Sequence, residues 1–181
     1  MRLLALKKTY KINLEKKRRS EKVSIRSLSK TRYTTRGALK NSFFCYLISK
    51  NPVDFYNGET IAGVKEDVSS VFNKKNDHHI FPKKLLKYDF YPEEINRLIN
   101  ICFQTFGENV RISETPPWTY LREYKNQKDF KKKLSSHAMP YDSSILEKGD
   151  VLEKYKRFVE KRKELIKKDL IRLMGNKYVE D

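Results

Sequence analysis

Cysteine, glycine and proline are all scarce in this chain, which has 2 Cys, 6 Gly and 6 Pro among 181 residues. Because there is no Cys-x-x-Cys pair, we do not expect a zinc knuckle or a structural zinc cluster. Cys45 and Cys102 lie within apolar stretches, which is typical of buried cysteines. A Gly-rich phosphate-binding loop is also missing, so nothing in the sequence indicates a nucleotide-dependent domain.

Long hydrophobic runs are missing as well. No apolar run approaches the roughly 20 residues that a membrane-spanning helix needs. The N-terminus is apolar only from Leu3 to Leu6 and then becomes strongly basic, which is too short for the apolar section of a signal peptide. We therefore expect no membrane partner and a cytoplasmic location.

Positive charge is what the chain has in excess. It contains 40 Lys and Arg against 23 Asp and Glu, which gives a formal net charge of +17. So basic a chain gains free energy when it meets a polyanion and releases condensed counterions. The charge favours contact with nucleic acid. It is also compatible with a ribosome-associated or aggregation-averse basic protein, or with a fragment that lacks its acidic partner.

The length predicts one domain with appended arms. We interpret residues 1–36 as a basic, partly helical N-terminal arm with a dense cluster at Lys16–Arg19; the alternative is a solvated helix whose partner lies on another chain. Residues 37–174 would form the domain, and 175–181 a tail. The fold class that we predict is α+β, a mostly helical domain around a small ββα motif, with a long C-terminal helix at about 151–174.

Periodicity and turn signals predict the individual elements. Apolar residues at helical spacing indicate a helix over 38–49, and a polar segment indicates a loop over 65–76. The strands are expected at 77–81 and 100–104, with Ile101 and Phe103 on one face, and short helices at 92–98 and 106–111. Thr115 is the expected N-cap of a helix that extends to about Leu134, and Asp150 with Glu153 suits the start of the last helix.

Two of the three histidines are adjacent, His78 and His79. Neighbouring side chains on a strand point to opposite faces, so both can serve one site only if the strand is twisted or bulged. Taken alone, the pair favours a structural or surface role. The downstream context changes this interpretation, because Asn100 opens the second predicted strand and Asn109 follows nine positions later.

This order of residues resembles the His-Asn-His (HNH, ββα-metal) nuclease superfamily. The resemblance is carried by His78, His79, Ile80, Pro82, Asn100 and Asn109. A closer resemblance is to the C-terminal nuclease domain of GmrSD-type modification-dependent restriction proteins, and it spans about residues 37–173. It is carried by the run His78–Lys84, by Pro116–Leu121, by His137–Pro140 and by the helix Tyr155–Leu173.

The resemblance implies a role for each matching residue. His79 would be the general base, which takes a proton from the attacking water. His78 and Asn109 would be ligands of one divalent metal ion, with Mg²⁺ or Mn²⁺ favoured over Zn²⁺ because so few protein ligands are supplied. Asn100 would tie the loop between the strands and help to orient His79.

The sequence departs from the family pattern at two positions. Many members have a third metal ligand four residues after the second, where this chain has Ser113. Most members also have an acid where His78 stands, so the adjacent Asp77 is the alternative ligand. Lys83, Lys84 and Arg111 could contact backbone phosphates or be solvated surface.

Three aromatic residues outside the motif carry two interpretations each. His137 either supports the residues of the site or contacts a phosphate. More often, such a histidine caps or packs near a neighbour, here Pro140. Trp118 and Tyr120 could stack on bases, but their helical spacing favours the core.

The function that we expect is a metal-dependent DNA endonuclease, acting in restriction or phage defence against foreign or modified DNA. The core of its nuclease domain would lie at about 77–112, and a separate ParB-like NTPase subunit is a possible partner for recognition. The alternatives are a catalytically degenerate DNA-binding subunit and an RNA- or ribosome-associated basic protein.

Overall fold

The computed structural model describes residues 22–61 and 77–181. It has the α+β class predicted above, with most of the regular structure helical, small sheets and a long C-terminal helix. The strands are β1 Val23–Ser24, β2 Asp77–His79, β3 Ile101–Phe103 and β4 Val179–Glu180. The helices are α1 Ile25–Lys30, α2 Ala38–Ser49, α3 Lys83–Leu86, α4 Pro92–Ile95, α5 Phe106–Ile112, α6 Pro117–Tyr120, α7 Phe130–Ser136, α8 Ser143–Leu146 and α9 Val151–Met174, with 3₁₀ turns at Leu98–Asn100, Leu121–Tyr124 and Asn176–Tyr178.

The described beginning of the chain and its last residues pair with each other. β1 and β4 form a parallel pair in which Val23 is opposite Val179. Ile25 and Leu28 on α1 are buried, and so is Val179. The β1–β4 pair thus brings Val23–Ser24 beside Val179–Glu180, and the buried face of α1 packs into the core. The cluster Lys16–Arg19 and the loop predicted at 65–76 lie outside the described residues.

β2 and β3 form an antiparallel pair in which His78 is opposite Cys102. β3 separates two apolar clusters, because Ile101 and Phe103 pack into one and Cys102 packs into the other. The predicted alternation along this strand is confirmed, although both strands are shorter than expected. Asn100 belongs to the 3₁₀ turn before β3 rather than to the strand itself.

Two helices begin or end differently from the prediction. α4 stops at Ile95 because Asn96 leaves helical geometry and Leu98 N–H donates to the Thr31 carbonyl instead. The helix predicted from Thr115 to Leu134 is wrong as a single element. Pro116 is the N-cap of α6, and a turn after the 3₁₀ segment Leu121–Tyr124 separates it from α7.

α2 and α9 follow the prediction closely. α2 has the predicted bounds, and α9 begins after Asp150, whose side chain accepts a hydrogen bond from Glu153 N–H. α9 presents a narrow buried stripe and an opposite face of charged residues. In the ranges 22–61 and 77–181, no helix is both long enough and apolar enough to cross a membrane.

Arg162 is the least ordinary member of the buried stripe of α9, since its side chain is fully buried. All three guanidinium nitrogens donate to backbone carbonyls, at 2.7 Å to Ile99, 2.9 Å to Ile101, 2.9 Å to His137 and 3.2 Å to Ala138. No carboxylate of the described residues bonds to it. One charged side chain thus joins α9 to the start of β3 and to the segment after α7.

We predict that Arg162→Met lowers the free energy of unfolding by about 3–5 kcal/mol, because it leaves several buried carbonyls without donors. Arg162→Lys should restore only part of this loss, since a single nitrogen cannot reach all four carbonyls. Urea unfolding of both variants measures the effect. Arg157→Met, an exposed change on the same helix, is the matched control; equal losses in Arg162→Met and Arg157→Met would contradict the role assigned to Arg162.

Candidate active site

Five of the residues singled out by the sequence line one cleft of about 240 Å³ beside the β2–β3 pair and the end of α5. His78, His79, Asn109, Lys83 and Lys84 contribute to it, and its remaining walls are Pro82, Ser113 and Glu114. A larger cleft of about 660 Å³ lies between α2, α7 and α9 and contains none of the predicted site residues. Volume alone would therefore have pointed away from the histidine pair.

His78 projects from β2 toward α5. Its ring is 2% exposed, and Nδ1 lies 2.7 Å from Oδ1 of Asn109, which is 31 positions away in the chain. Burial lowers the pKa of His78 to about 4, although the hydrogen bond with Asn109 acts in the opposite direction. Nε2 of this ring is buried without a hydrogen-bond partner among the described residues. Within the described part of the chain, Asn109 is therefore the one residue that forms a hydrogen bond with this ring.

His79 projects to the other side of β2, as strand alternation requires. Nε2 lies 3.2 Å from Oδ1 of Asn96, and the ring meets Tyr33 edge-on at a centroid distance of 5.2 Å. Burial, assisted by the positive charge of Lys83, lowers the pKa of His79 to about 4. Among the described residues, none forms a hydrogen bond with Nδ1. This ring also lines the cleft, so adjacent histidines reach one site from two faces.

Asn100 is fully buried and holds the chain that follows β2. Its Oδ1 accepts from the Phe81 N–H at 2.9 Å, and its Nδ2 donates to the carbonyls of Phe81 at 3.0 Å and Ile95 at 3.2 Å. The expected tie between the strands is thus visible in these contacts. The expected orientation of His79 is not, because the amide that bonds to His79 is that of Asn96.

Asn96 is the site residue that sequence reasoning missed. It stands in a segment interpreted only as a short helix, and no spacing rule connects it with His79. The sequence does contain one indirect signal. Asn96 follows a short helix that begins at Pro92, and it lies four positions before Asn100, which the ββα resemblance places beside the histidine pair.

The donor set at the cleft suits a divalent ion that takes few ligands from the protein. One imidazole nitrogen and one amide oxygen converge there. The described residues contain no group of three or more His, Cys, Asp and Glu close enough to hold a metal. Glu114 brings a carboxylate into the cleft, but it is paired with Lys84 at 2.5 Å. Water or phosphate oxygens would have to complete the coordination. Mg²⁺ sites in proteins are usually completed in this way, and Mn²⁺ prefers the same oxygen ligands.

Two further positions bear on the ligand set, Asp77 and Ser113. The side chain of Asp77, the alternative to His78, lies outside the described part of the structure. Ser113 lines the cleft as the C-cap of α5, with a positive φ of 48° that is uncommon for a residue other than glycine.

The three basic residues predicted to contact phosphates have different surroundings. Lys83 lines the cleft, and its Nζ lies 5.6 Å from the centroid of the Tyr33 ring. Lys84 also lines it and forms the ion pair with Glu114. Arg111 is not brought to the cleft, because its guanidinium bonds to Glu108 at 2.8 Å and to Glu123 at 2.6 Å on another side of α5. It therefore serves to hold α5 in place.

His137, Trp118 and Tyr120 are all buried. Nε2 of His137 lies 2.7 Å from the Val53 carbonyl, and the residue does not line the cleft, so it packs in the core and does not support the metal ligands or a phosphate. Tyr120 donates to the Ile80 carbonyl at 3.1 Å, and its ring meets the ring of His78 edge-on. The core interpretation of both Trp118 and Tyr120 is confirmed.

Comparison with known proteins adds one distant similarity. A protein of Methanocaldococcus jannaschii described as uncharacterized is 28% identical over 151 aligned residues, which cover 71% of this chain and 24% of the relative. The chain thus spans about a quarter of the length of the curated relative that it matches. No family model matches the sequence, and no solved structure matches it either.

His137 is expected to make the free energy of unfolding depend on pH. Burial lowers its pKa to about 4, although the hydrogen bond to Val53 raises it and Arg162 lowers it further. The unfolded chain therefore binds more protons than the folded one between about pH 4 and 6.5, and the stability from this residue, full above pH 6.5, falls by about 1.4 kcal/mol per pH unit as the pH drops through that window.

We expect His137→Gln, which keeps an N–H for the Val53 carbonyl, to make the loss of stability shallower by that amount. Urea unfolding at several pH values between 4 and 7 measures it. Parallel profiles for the variant and the wild type would show that His137 does not titrate on unfolding.

Proposed function

We propose that this chain is a metal-dependent nuclease of the HNH type that hydrolyses phosphodiester bonds in DNA. The observation that supports it most is the approach of His78 and Asn109 to 2.7 Å in a cleft that also contains His79 and two lysines. Two side chains 31 residues apart that bring a nitrogen and an oxygen to one point form the beginning of a cation site. A basic wall beside it suits a phosphate.

In this proposal His78 and Asn109 would hold one Mg²⁺ or Mn²⁺. To bind the ion, Nδ1 of His78 would have to give up the proton that it donates to Asn109, and the neutral ring would then carry its proton on Nε2. When bound, such an ion stabilises the negative charge that develops on the phosphate and on the leaving oxygen. His79 accepts the proton of the attacking water through Nδ1, to which no residue of the ranges 22–61 and 77–181 bonds, since Nε2 is occupied by Asn96. Lys83 and Lys84 bind the non-bridging oxygens of the phosphate and fix its position.

The net charge of +17 supports a polyanionic substrate without identifying it. We propose DNA, in restriction or phage defence against foreign or modified DNA. Recognition would come from a partner such as a separate ParB-like NTPase subunit, because the sequence contains no Gly-rich nucleotide-binding loop of its own.

The first test removes the base. We predict that His79→Ala lowers the rate of plasmid nicking with Mn²⁺ or Mg²⁺ by about 10²–10⁴-fold, because a general base typically contributes that much. Binding of DNA in a gel shift and the thermal midpoint should stay near their wild-type values, and EDTA should abolish nicking by the wild type. Lys128→Ala, a change of an exposed residue outside the cleft, is the control for a substitution that does not touch the site.

The alternatives give different results in the same experiment. Binding of DNA by the wild type with no cutting under any metal would favour a degenerate DNA-binding subunit. A preference for RNA, with no effect of His79→Ala, would favour an RNA- or ribosome-associated protein.

The second test measures metal binding without catalysis. We predict that His78→Ala and Asn109→Ala each weaken the binding of Mn²⁺, followed by the EPR signal of the free ion, by about 10-fold or more. Asn126→Ala, an exposed amide outside the cleft, is the matched control and should bind like the wild type. If all four proteins bind Mn²⁺ alike, the ion is not held by this pair of residues and the proposed centre is rejected.

A further inference from the structure

The amide of Asn96 is held at both of its ends. Nδ2 donates to the carbonyl of Pro92 at 2.9 Å, and Oδ1 faces Nε2 of His79 at 3.2 Å. The backbone of Asn96 is fixed too, because its carbonyl accepts from the N–H of Tyr33 at 2.8 Å and its own N–H donates to Pro92 at 3.1 Å. Asn96 is therefore anchored by α4 on one side and by the segment after α1 on the other.

This anchoring determines which end of the amide meets the ring. The Pro92 carbonyl can only accept a hydrogen bond, so the nitrogen of the amide must face it. The oxygen must then face His79, and an amide oxygen can only accept. A neutral imidazole carries one N–H and one lone pair, so the N–H must be on Nε2 and the lone pair on Nδ1.

A second contact limits how far the ring of His79 can turn. Tyr33 meets the ring edge-on, and the same residue donates its backbone N–H to Asn96. The two residues that hold His79 are thus bonded to each other. A rotation of the imidazole that broke the bond to Asn96 would also change its edge-on contact with the Tyr33 ring.

We propose that Asn96 is the positioning residue of this site: it locks His79 in the tautomer that is protonated on Nε2, which keeps the Nδ1 lone pair ready to accept a proton from water. The inference rests on the proposed function of His79 for its catalytic meaning. The tautomer itself can be observed without any catalysis.

The experiment is ¹⁵N NMR of the full chain labelled at its histidines. The sequence has only three histidines, so the ring signals of His79 can be assigned by difference with His79→Gln. In the wild type we expect the pattern of a ring protonated at Nε2 with a bare Nδ1. In Asn96→Ala we expect shifts averaged between the two tautomers, together with a fall of about 10–100-fold in the rate of plasmid nicking.

Asn96→Asp is the conservative variant, since it keeps an acceptor beside Nε2 while it loses the donor to Pro92. Because its carboxylate also favours protonation of the ring, this variant is measured at a pH high enough to keep the imidazole neutral. There it should hold the wild-type tautomer and recover part of the activity. Asn126→Ala, the exposed amide used above, should leave both readouts unchanged. A purely structural role of Asn96 would change the thermal midpoint in both Asn96 variants alike and would not distinguish them in the tautomer signal.

Three results would overturn the proposal. They are a wild-type ring protonated at Nδ1, an Asn96→Ala ring that keeps the wild-type pattern, and an altered tautomer with nicking at the full wild-type rate. If the wild type shows the expected tautomer, lost in Asn96→Ala, but cuts no nucleic acid with any divalent metal, the locking of the tautomer stands and the proposed nuclease function fails.

Discussion

The buried guanidinium of Arg162 is the constraint on which the rest of the structure depends. Burial lowers its pKa to about 10, which still leaves it charged at neutral pH. A charge in that position is tolerable only because four carbonyls receive its hydrogen bonds. Two of these carbonyls, those of Ile99 and Ile101, flank Asn100. The long C-terminal helix therefore fixes the backbone on both sides of the residue that organises the candidate site.

Asn100 in turn fixes the backbone next to the histidines. The Asn100 amide holds Phe81, and the Asn100 carbonyl accepts from the Ile80 N–H at 2.9 Å, so the chain is fixed directly after His79. The β2–β3 register then sets where His78 projects. Each step uses backbone groups or a buried amide, which have few alternative partners. The cleft is consequently a product of the core, and its geometry does not depend on exposed loops alone.

Local patterns predicted those parts of the fold that local interactions determine. The apolar spacing of α2, the capping of α9 and the alternation along β3 are all short-range properties, and they are confirmed. The meeting of His78 with Asn109 was expected only from the family resemblance. Periodicity could not reveal that β1 pairs with β4, that Arg111 is taken up by Glu108 and Glu123, or that Asn96 is the partner of His79. These contacts depend on which chain segments meet in three dimensions. The position of Arg162 in the helical stripe likewise does not predict that its side chain donates to four backbone carbonyls of distant segments.

Three asparagines hold the histidine pair and the backbone next to it, and because their side chains are neutral they add no charge beside the rings. Asn109 meets His78, Asn96 meets His79, and Asn100 fixes the backbone between the two strands. A carboxylate at either of the first two positions could accept the same hydrogen bond, but its charge would favour protonation of the ring. An amide instead orients an imidazole without charging it, and its second end can be anchored elsewhere, as at Pro92. Two adjacent histidines can thus have separate partners on opposite faces of one strand. Both rings remain neutral beside Lys83 and Lys84, which line the same cleft.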